Sequence, residues 1–277
     1  MPRYLLAVSG GIDSVVLLDY FFHTHKKSEL LVAHFDHHLR ENSHADYLFV
    51  EKLASIYDLP FFGGEAHLKN SSEETARTAC YDFLLKVAKE NDAVIVTAHH
   101  LGDLVESVAI NLLRGTGWRG LAVLNRDGLL RPFLDLEWDK KDIYRYAAEH
   151  HLTFREDPTN SSPLYLRNRL RERLHEGETL SSYFYHLRNR QIAIAKEIDA
   201  ILSEYTLAPE FPRSLFKNLD EKIADELLHA ILKSRNLSST RPARSRLLEA
   251  IKTYSPGKKF NLEKGYFVTI KKSTFTL

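Results

Sequence analysis

Cysteine is nearly absent from this chain, and long apolar runs are missing altogether. Cys80 is the single cysteine among 277 residues, which excludes an intramolecular disulfide, a cysteine-rich zinc site and paired-thiol redox chemistry. No apolar stretch approaches the roughly 20 residues that span a bilayer. The N-terminus carries no signal-peptide pattern, because a strand-like run begins almost at once. We therefore expect a protein of the reducing cytoplasm that has no membrane partner.

Residues 9–14, which read SGGIDS, form the candidate phosphate loop of this chain. They lie between apolar runs at 4–8 and 15–18, which predicts a buried parallel strand, a glycine-rich turn and a helix. Backbone N–H groups of the first helical turn then face negative oxygens, and the helix dipole adds to the attraction. Two other phosphate motifs, G-x-x-x-x-G-K-[ST] and a G-x-G-x-x-G after this strand, are absent. The candidate nucleotide-binding residues here are Ser9, Gly10, Gly11, Ile12, Asp13 and Ser14.

The carboxylate of Asp13 is unexpected in a site for anions. We interpret it as a ligand of a bridging Mg²⁺ ion rather than as a direct phosphate contact. The alternative interpretation is an ordinary strand-to-helix turn in which Asp13 or Ser14 caps the helix.

Strand-like and helical segments alternate through the first half of the chain. Apolar runs predict further strands at 30–35, 60–62 and 93–97. Helical patterns lie at about 42–57, 72–90 and 102–114. This alternation predicts an α/β fold, a Rossmann-like parallel sheet with helices on both faces. Because ligands of such sheets bind at the carboxyl ends of the strands, we expect Ser9, the segment His34–His37 and His99 to meet in one cleft.

The second half of the chain is mostly helical. Residues 182–205 form one long helical pattern, which the proline-containing segment at 207–212 ends. Two helical segments lie within 220–252, and residues 260–277 alternate as a terminal β-hairpin. We predict a nucleotide-binding catalytic domain at 1–180, a connecting helix at 181–207 and a small, mostly helical domain at 208–277.

Charge is distributed unevenly, although the net charge of the chain is only +1. Residues 1–150 hold 16 Lys and Arg against 22 Asp and Glu, whereas residues 151–277 hold 22 against 15. This asymmetry favours an acidic partner such as RNA for the second half, with an ordinary mixed surface as the alternative. The candidate RNA-backbone contacts are Arg167, Arg169, Arg171 and Arg173. A charged surface helix held by internal salt bridges is the alternative for this segment.

His99, Asp103 and Glu106 share one stripe of a predicted helix, at spacing i, i+4 and i+7. The apolar residues on the opposite side are Leu101, Leu104, Val105, Val108 and Leu112. Since the polar stripe is not the main packing face, it could bind Mg²⁺, orient an amine or accept a proton. The alternative is the solvated face of an amphipathic helix.

A second polar cluster follows the predicted strand at 30–35. Asp36 is placed at the end of this strand to accept hydrogen bonds from an adenine amine or a ribose hydroxyl. The alternative is a zinc site made of His34, His37 and His38, although two adjacent histidines seldom converge on one ion.

Residues 114–120, which read RGTGWRG, indicate a mobile glycine-rich loop after the third predicted helix. Arg114 and Arg119 could steady phosphates from this loop. A flexible surface turn is the alternative.

Taken in order, these segments resemble one family, the bacterial tRNA(Ile)-lysidine synthases of the PP-loop ATP pyrophosphatase superfamily. SGGIDS is similar to the family's PP-loop, and HFDHHLRENS is similar to its second signature. The other matching segments are EETARTACYDFL, TAHHLGDLVES, LLRGTGWRGL, RPFL and EDPTNSSPLYLRNRLR. The resemblance covers about residues 3–175, and the last 70 residues fit the family's small second domain only loosely.

The resemblance implies a ligase that forms a C–N bond. Members of this family use ATP to adenylate the C2 oxygen of the wobble cytidine in the CAU anticodon of tRNA(Ile). The ε-amine of free L-lysine then displaces AMP and leaves lysidine. The implied cofactors are ATP and Mg²⁺, and a homodimer is one alternative for an oligomeric state that stays open. The candidate catalytic residues are Asp36, Arg77, His99, Asp103 and Glu106, and the candidate metal ligands are Asp13 and Asp103.

Two positions depart from the family pattern. Gly102 stands where the first of two consecutive Asp residues is usual, and Cys80 stands where Arg usually precedes Tyr81. We expect an active enzyme, because the other catalytic positions match. The alternatives are an inactive RNA-binding relative, a PP-loop tRNA thiolase, which a single cysteine argues against, and a small-molecule amide ligase, which would not need the Arg-rich helix.

Overall fold

The computed structural model of this chain describes residues 3–38, 43–66, 73–155, 178–237, 239–263 and 265–277. The chain divides into two compact units, Met1–Gln191 and Ile192–Leu277. The division between them falls within one long helix, Glu178–Ser203. The three-part division at 180 and 207 stays a prediction.

Strands and helices alternate along the first unit. The strands are β1 (Arg3–Ala7), β2 (Leu30–Asp36), β3 (Phe61–Glu65), β4 (Ala93–Val96) and β5 (Leu129–Leu130). The helices are α1 (Ile12–Thr24), α2 (Ser43–Ile56), α3 (Glu73–Glu90), α4 (Leu101–Leu113), α5 (Pro132–Asp135), α6 (Lys140–Glu149) and the first part of α7 (Glu178–Ser203).

The five strands form one parallel sheet in the order β3-β2-β1-β4-β5. The chain moves outward from β1 to β2 and β3, and then returns to the other side of β1 with β4 and β5. The reversal leaves a crevice between the carboxyl ends of β1 and β4, where ligands of such sheets bind. The predicted α/β parallel sheet is confirmed, and this topology positions the candidate site.

Alternate residues of the strands face opposite sides of the sheet, as the two-residue period of a strand requires. Leu6, Val32 and Val96 pack with α1, α2 and α6. Leu5, Leu31 and Ile95 pack on the other face with α3. A third cluster buries the predicted apolar stripe of α4, except that Leu112 is exposed. The helices that follow β1 and β4, α1 and α4, are therefore each held by a separate apolar cluster.

A buried carboxylate ties α6 to α1. Asp19 of α1 accepts hydrogen bonds from the hydroxyl groups of Tyr57, at 2.6 Å, and Tyr146, at 3.0 Å. Its carboxylate also lies 2.8 Å from Nδ1 of His150 and 3.4 Å from Nδ1 of His23. Burial, followed by these hydrogen bonds, raises the pKa of both tyrosines. Because α6 is held in this way, its first residue lies beside the phosphate loop.

Helices and a small antiparallel sheet make up the second unit. Its strands are β6 (Phe211–Pro212), β7 (Lys259–Glu263), β8 (Tyr266–Ile270) and β9 (Thr274–Thr276), in the order β6-β9-β8-β7. Besides the rest of α7, its helices are α8 (Arg213–Asn218), α9 (Glu221–Lys233) and α10 (Arg241–Thr253).

The predicted C-terminal hairpin corresponds to β7 and β8, and two further strands extend it. Gly265 adopts φ +89° between β7 and β8, a conformation that glycine accepts readily. The buried guanidinium of Arg213 donates to the carbonyl oxygens of Ile251, Tyr254 and Lys271, which joins α8 to α10 and the sheet. Within the described ranges, no helix has both the length and the apolar character that crossing a membrane requires.

Replacing the buried carboxylate, Asp19→Asn, should lower the free energy of unfolding of the first unit by about 2 kcal/mol, because hydrogen bonds to a buried charged group are each worth roughly 1.5–3 kcal/mol. Both tryptophans, Trp118 and Trp138, lie in this unit, so denaturant unfolding can be followed by their fluorescence. The control is Asp58→Asn, which removes an exposed pair with Lys27 and should change stability clearly less, because solvent screens exposed ion pairs. Equal losses in the two variants would contradict the prediction.

Candidate active site

A single hydroxyl group organises the candidate phosphate loop at residues 9–14. Oγ of Ser14 accepts hydrogen bonds from the backbone N–H of Ser9, at 3.1 Å, and of Gly10, at 3.2 Å. It donates to the carbonyl oxygen of Gly11 at 2.9 Å, and Oγ of Ser9 lies 3.2 Å away. Ser14 is buried, so the loop folds around an interior polar centre rather than around water.

Gly10 meets two requirements of this turn. Its φ of +92° is strained for a residue with a side chain, and an added Cβ would lie 3.3 Å from Cδ1 of Phe49. Its carbonyl oxygen accepts a hydrogen bond from the N–H of Arg155 at 3.0 Å, so the segment after α6 supports the loop. The N-cap of α1 is Gly11, without a capping side chain. Neither Asp13 nor Ser14 therefore caps α1, and its N-terminus is open to an anion.

Asp13 faces a lysine and a histidine across the crevice. Its Oδ1 lies 2.5 Å from Nζ of Lys140, the first residue of α6. The same oxygen lies 3.9 Å from Nε2 of His100, and Oδ2 of Asp103 lies 3.7 Å from that nitrogen. The two carboxylates that we predicted as metal ligands thus flank one imidazole, and both are partly exposed. Oxygen donors of this kind suit Mg²⁺, although Asp13 already pairs with an ammonium group.

His100 and Asp103 form a reciprocal cap at the start of α4. Nδ1 of His100 accepts from the N–H of Gly102 at 3.0 Å, and Oδ2 of Asp103 accepts from the N–H of His100 at 3.0 Å. An Nδ1 that accepts a hydrogen bond places the ring proton on Nε2, which faces the two carboxylates. A Cβ at Gly102 would lie 2.7 Å from Cε1 of His100. Residue 102 is one of the two positions that depart from the family pattern. Because it is glycine, the imidazole of His100 can fold over the N-terminus of α4.

His99 does not lie on the helical stripe that its spacing predicts, because α4 begins only at Leu101. Its Nδ1 lies 2.9 Å from Oγ1 of Thr97. Burial lowers the pKa of His99 to about 4; Asp103 opposes the shift, whereas Arg131 and Arg77 add to it. His99 is thus a neutral imidazole near neutral pH.

Glu106 is buried, which contradicts a fully solvated polar face.

Asp36 is buried at the carboxyl end of β2. Its Oδ1 accepts from the N–H of His38 at 2.8 Å, whereas Oδ2 has no hydrogen bond of good geometry in the described part of the chain. Burial alone raises the pKa of this carboxyl, but the His38 hydrogen bond and neighbouring polar groups outweigh it and hold the pKa below its ordinary value. The site thus keeps a buried, ionised acceptor.

The zinc alternative at this strand end finds no support. Nδ1 of His34 lies 2.8 Å from the carbonyl oxygen of Val8, and His38 pairs with Glu65. Among the described residues, the group that could hold a metal ion is instead Asp19, His23 and His150, which the fold already uses to join α1 and α6.

One predicted site residue, Arg114, lies away from this crevice. Arg114 is the exposed C-cap of α4, and a 13-residue helix separates it from the crevice by about 20 Å. Its phosphate role stays a prediction that no observed contact supports. The four arginines predicted to contact RNA, at 167, 169, 171 and 173, lie outside the described residues.

Sequence reasoning missed Lys140 and Arg131. Lys140 begins α6, whose N-terminus carries a reciprocal cap between Asp139 and Asp142; this D-x-x-D pattern is the signal that could have revealed the helix. Arg131 follows β5, a strand of two residues, which is too short to show a periodic pattern. The RPFL segment at 131–134, which resembles a family motif, is the signal that could have revealed Arg131.

The Ser14→Ala variant should lower the free energy of unfolding of the first unit by about 1–2 kcal/mol, because it leaves the buried N–H of Gly10 and the partly buried N–H of Ser9 without this acceptor. It should also weaken the binding of inorganic pyrophosphate, measured by calorimetry, because the loop loses its ordered shape. The control is Thr24→Ala, an exposed hydroxyl bonded to the carbonyl oxygen of Tyr20. The prediction fails if both variants keep the parental stability and affinity.

The low pKa of His99 predicts a pH-dependent contribution to stability. The unfolded chain binds a proton at its ordinary value of 6.5, whereas the folded chain does so only near 4. The free energy of unfolding should therefore decrease by up to about 3 kcal/mol as the pH falls from 6.5 to about 4. His99→Gln should flatten the dependence of the unfolding free energy on pH between 4 and 7, measured by tryptophan fluorescence. The exposed control His186→Gln should leave it unchanged; parallel profiles for the parent and His99→Gln would contradict the assignment.

The chain matches one protein family and is similar to a solved structure. Residues 1–178 match the family described as PP-loop domain (ATP_bind_3). A solved structure, the U34-tRNA thiolase NcsA from Methanococcus maripaludis, is similar with a TM-score of 0.55 and 16% identity, covering 68% of this chain and 72% of that one. At this identity, the similarity concerns the fold alone.

Two curated proteins are similar to this chain at higher sequence identity. The chain is 36% identical to a tRNA(Ile)-lysidine synthase from Bdellovibrio bacteriovorus, over 75% of this chain and 65% of that protein. It is 39% identical to a tRNA(Ile)-lysidine synthase from Thermotoga maritima, over 61% of this chain and 44% of that protein. The chain thus spans less than two thirds of the length of each of these relatives. The sequence identity over the matched regions confirms the predicted resemblance. With the family matched over most of the first unit and the phosphate loop at its expected place, the chain belongs to the PP-loop family of ATP-binding domains.

Proposed function

We propose that this chain is a tRNA(Ile)-lysidine synthase. ATP adenylates the C2 oxygen of the wobble cytidine in a CAU anticodon, and the ε-amine of free L-lysine then displaces AMP. The observation that supports this most strongly is the meeting of Asp13 and Asp103 across the crevice at one imidazole. The phosphate loop follows β1, and His99 follows β4. A nucleotide on one wall and an amine on the other would thus react in the space between them.

The first wall would bind ATP. The open N-terminus of α1 and the N–H groups of the loop are suited to the phosphates, and the buried acceptor Asp36 is suited to an adenine amine or a ribose hydroxyl. Lys140, beside Asp13, adds a positive charge close to the phosphates. Asp13 and Asp103 would hold Mg²⁺, which neutralises phosphate charge when bound. Arg77 of α3 is proposed to stabilise negative charge that develops during adenylation.

The second wall would bind lysine and take up its proton. Asp103 and Glu106 are the proposed partners of the incoming ammonium group, because carboxylates favour a cation there. The ammonium group must lose one proton before the amine can attack C2, and the nitrogen loses a second proton as the bond to C2 forms. Because the nitrogen is positively charged and acidic at that point, a weak base is sufficient to accept the second proton. His99 fits this role, because its low pKa keeps the imidazole neutral near neutral pH.

The tRNA would bind through the positively charged second half of the chain. Residues 151–277 hold 22 Lys and Arg against 15 Asp and Glu, and polyanions attract such an excess. The candidate contacts are Arg167, Arg169, Arg171 and Arg173, together with the domain proposed at 208–277. A tRNA substrate and the single cysteine are consistent with the cytoplasm as the site of action.

An inactive RNA-binding relative is the second candidate, since Gly102 and Cys80 depart from the family pattern. Cys80 packs against the apolar cluster of α3, and burial raises the pKa of its thiol to about 11. The thiol is thus a core side chain rather than a nucleophile. Gly102 donates its N–H to His100, so neither departure removes a proposed reacting group.

The activity is tested by incubating the chain with ATP, Mg²⁺, L-lysine and a tRNA(Ile) transcript that carries a CAU anticodon. We expect a nucleoside whose mass has increased by lysine minus water, detected by mass spectrometry after digestion. The matched control is a transcript with uridine at the wobble position, which should remain unmodified. Release of pyrophosphate without this product, or no reaction with bound tRNA, would favour the alternatives.

Asp103→Asn should raise the lysine KM by about tenfold or more, because a charge-assisted bond worth roughly 1.5–3 kcal/mol is lost. The ATP KM should change much less, because Asp13 and an amide oxygen at position 103 remain to hold Mg²⁺. The amide oxygen can still accept the capping bond from His100, so α4 should remain intact. Asp142→Asn is a matched control, because Asp142 holds the same capping position on α6. An unchanged lysine requirement in Asp103→Asn would remove Asp103 from the amine site.

A further inference from the structure

Two histidines from different helices converge on the buried carboxylate of Asp19. His23 lies in the last turn of α1, and His150 is the C-cap of α6. Oδ2 of Asp19 lies 3.4 Å from Nδ1 of His23 and 2.8 Å from Nδ1 of His150. The three side chains offer one donor atom each, and these atoms all lie within 4.8 Å of one another. Two imidazole nitrogens and one carboxylate oxygen are a donor set typical of transition-metal sites in proteins.

The negative charge of Asp19 is buried without a permanently charged partner. Asp19 is 3% exposed, and in the described part of the chain its ion-pair partners are the two histidines, with no Lys or Arg among them. An imidazole of ordinary pKa is largely neutral near neutral pH. Because burying an ionised carboxylate is unfavourable unless a cation balances it, a metal ion at this place would offset the cost.

Two tyrosines hold the carboxylate in place. The hydroxyl group of Tyr57 donates to Oδ1 of Asp19 at 2.6 Å, and that of Tyr146 donates to Oδ2 at 3.0 Å. The ring of Tyr146 also stacks on that of His150, with the ring centroids 3.9 Å apart. Carboxylates that bind metal ions are themselves hydrogen-bonded in this way, which fixes their direction and contributes to affinity. The carboxylate and one of the two imidazoles are therefore already oriented.

Both imidazoles are accessible to an ion from solvent. The side chain of His23 is 54% exposed, and that of His150 is 32% exposed. Nδ1 of His23 donates to the carbonyl oxygen of Asp19 at 2.9 Å, because a carbonyl oxygen only accepts. The neutral ring can also carry its proton on Nε2, which leaves Nδ1 able to bind a metal ion. Since the ligands of a tetrahedral zinc ion lie roughly 3.4 Å apart, small rotations of these rings complete the geometry.

The cluster of Asp19, His23 and His150 is separate from the candidate active site. Asp19 follows Asp13 by six positions along α1, or about 9 Å at the rise of a helix. His150 follows Lys140 by ten positions along α6, or about 15 Å. An ion at Asp19 would therefore join the two helices away from the phosphate loop, without contact to the nucleotide.

We infer that Asp19, His23 and His150 form a binding site for a divalent transition-metal ion, of which Zn²⁺ fits best. Two imidazole nitrogens and one carboxylate oxygen hold the ion, and water completes its coordination. Mg²⁺ is disfavoured, because it prefers oxygen ligands in a strict octahedral arrangement. The site goes beyond the proposed function, since it requires neither ATP nor tRNA, and it joins α1 to α6.

The test titrates the full chain, freed of metal by a chelator, with Zn²⁺ in a calorimeter, with excess Mg²⁺ present to occupy sites made of oxygen donors. The parent should bind zinc at a saturable site that Mg²⁺ does not displace. His23→Gln and His150→Gln should each weaken this binding about tenfold or more, because a nitrogen ligand is lost. The matched control is His186→Gln, an exposed histidine whose Nε2 lies 3.9 Å from a carboxylate oxygen of Glu137, which should leave the affinity unchanged.

Thermal unfolding gives a second measurement of the same site. A ligand that binds only the folded chain raises the unfolding temperature in proportion to its occupancy. Zn²⁺ should therefore raise the unfolding temperature of the parent and of His186→Gln, and should raise that of His23→Gln clearly less at the same concentration.

The other outcomes overturn the inference. If the parent shows no saturable zinc binding, the cluster is structural. If both variants bind zinc as tightly as the parent, the ion binds elsewhere, and a loss in only one of them contradicts an ion that bridges the two helices. Displacement of zinc by Mg²⁺ would indicate a site of oxygen donors. If His150→Gln does not fold, His23→Gln decides alone, because the two tyrosines and His150 still hold Asp19 in that variant.

Discussion

The hydroxyl group of Ser14 is the contact on which the candidate site depends. Three backbone groups of the loop converge on this one oxygen, from Ser9, Gly10 and Gly11. The loop therefore keeps its curvature without a ligand, and the N-terminus of α1 stays open because no side chain caps it. A preorganised anion site of this kind loses little conformational entropy on binding, since its N–H groups are already directed.

The position of α6 determines which side chain faces Asp13 across the crevice. The buried carboxylate of Asp19 fixes the far end of α6 through Tyr146 and His150. The near end of the helix then presents Lys140 to Asp13. A structural carboxylate on one turn of α1 thus helps to place the lysine that pairs with another carboxylate about two turns earlier.

Charge of both signs is concentrated around a neutral histidine. Burial, Arg131 and Arg77 lower the pKa of His99, whereas Asp103 raises it. The low dielectric of a buried site strengthens such interactions and makes an unpaired group costly. Burial thus keeps the His99 imidazole neutral near neutral pH and able to accept a proton.

The sequence by itself determined the parallel α/β fold, because its apolar runs and glycine-rich turn have the periods and spacing of a doubly wound sheet. It also determined the place of the phosphate loop and of Asp36 at strand ends. It did not determine the position of His99, since a helical spacing cannot reveal that the helix begins two residues later. Arg131 and Lys140 became candidates only through tertiary structure. Both residues lie in segments with a local signal, the RPFL motif and the D-x-x-D cap, but only long-range packing brings Lys140 to Asp13 and buries Arg131.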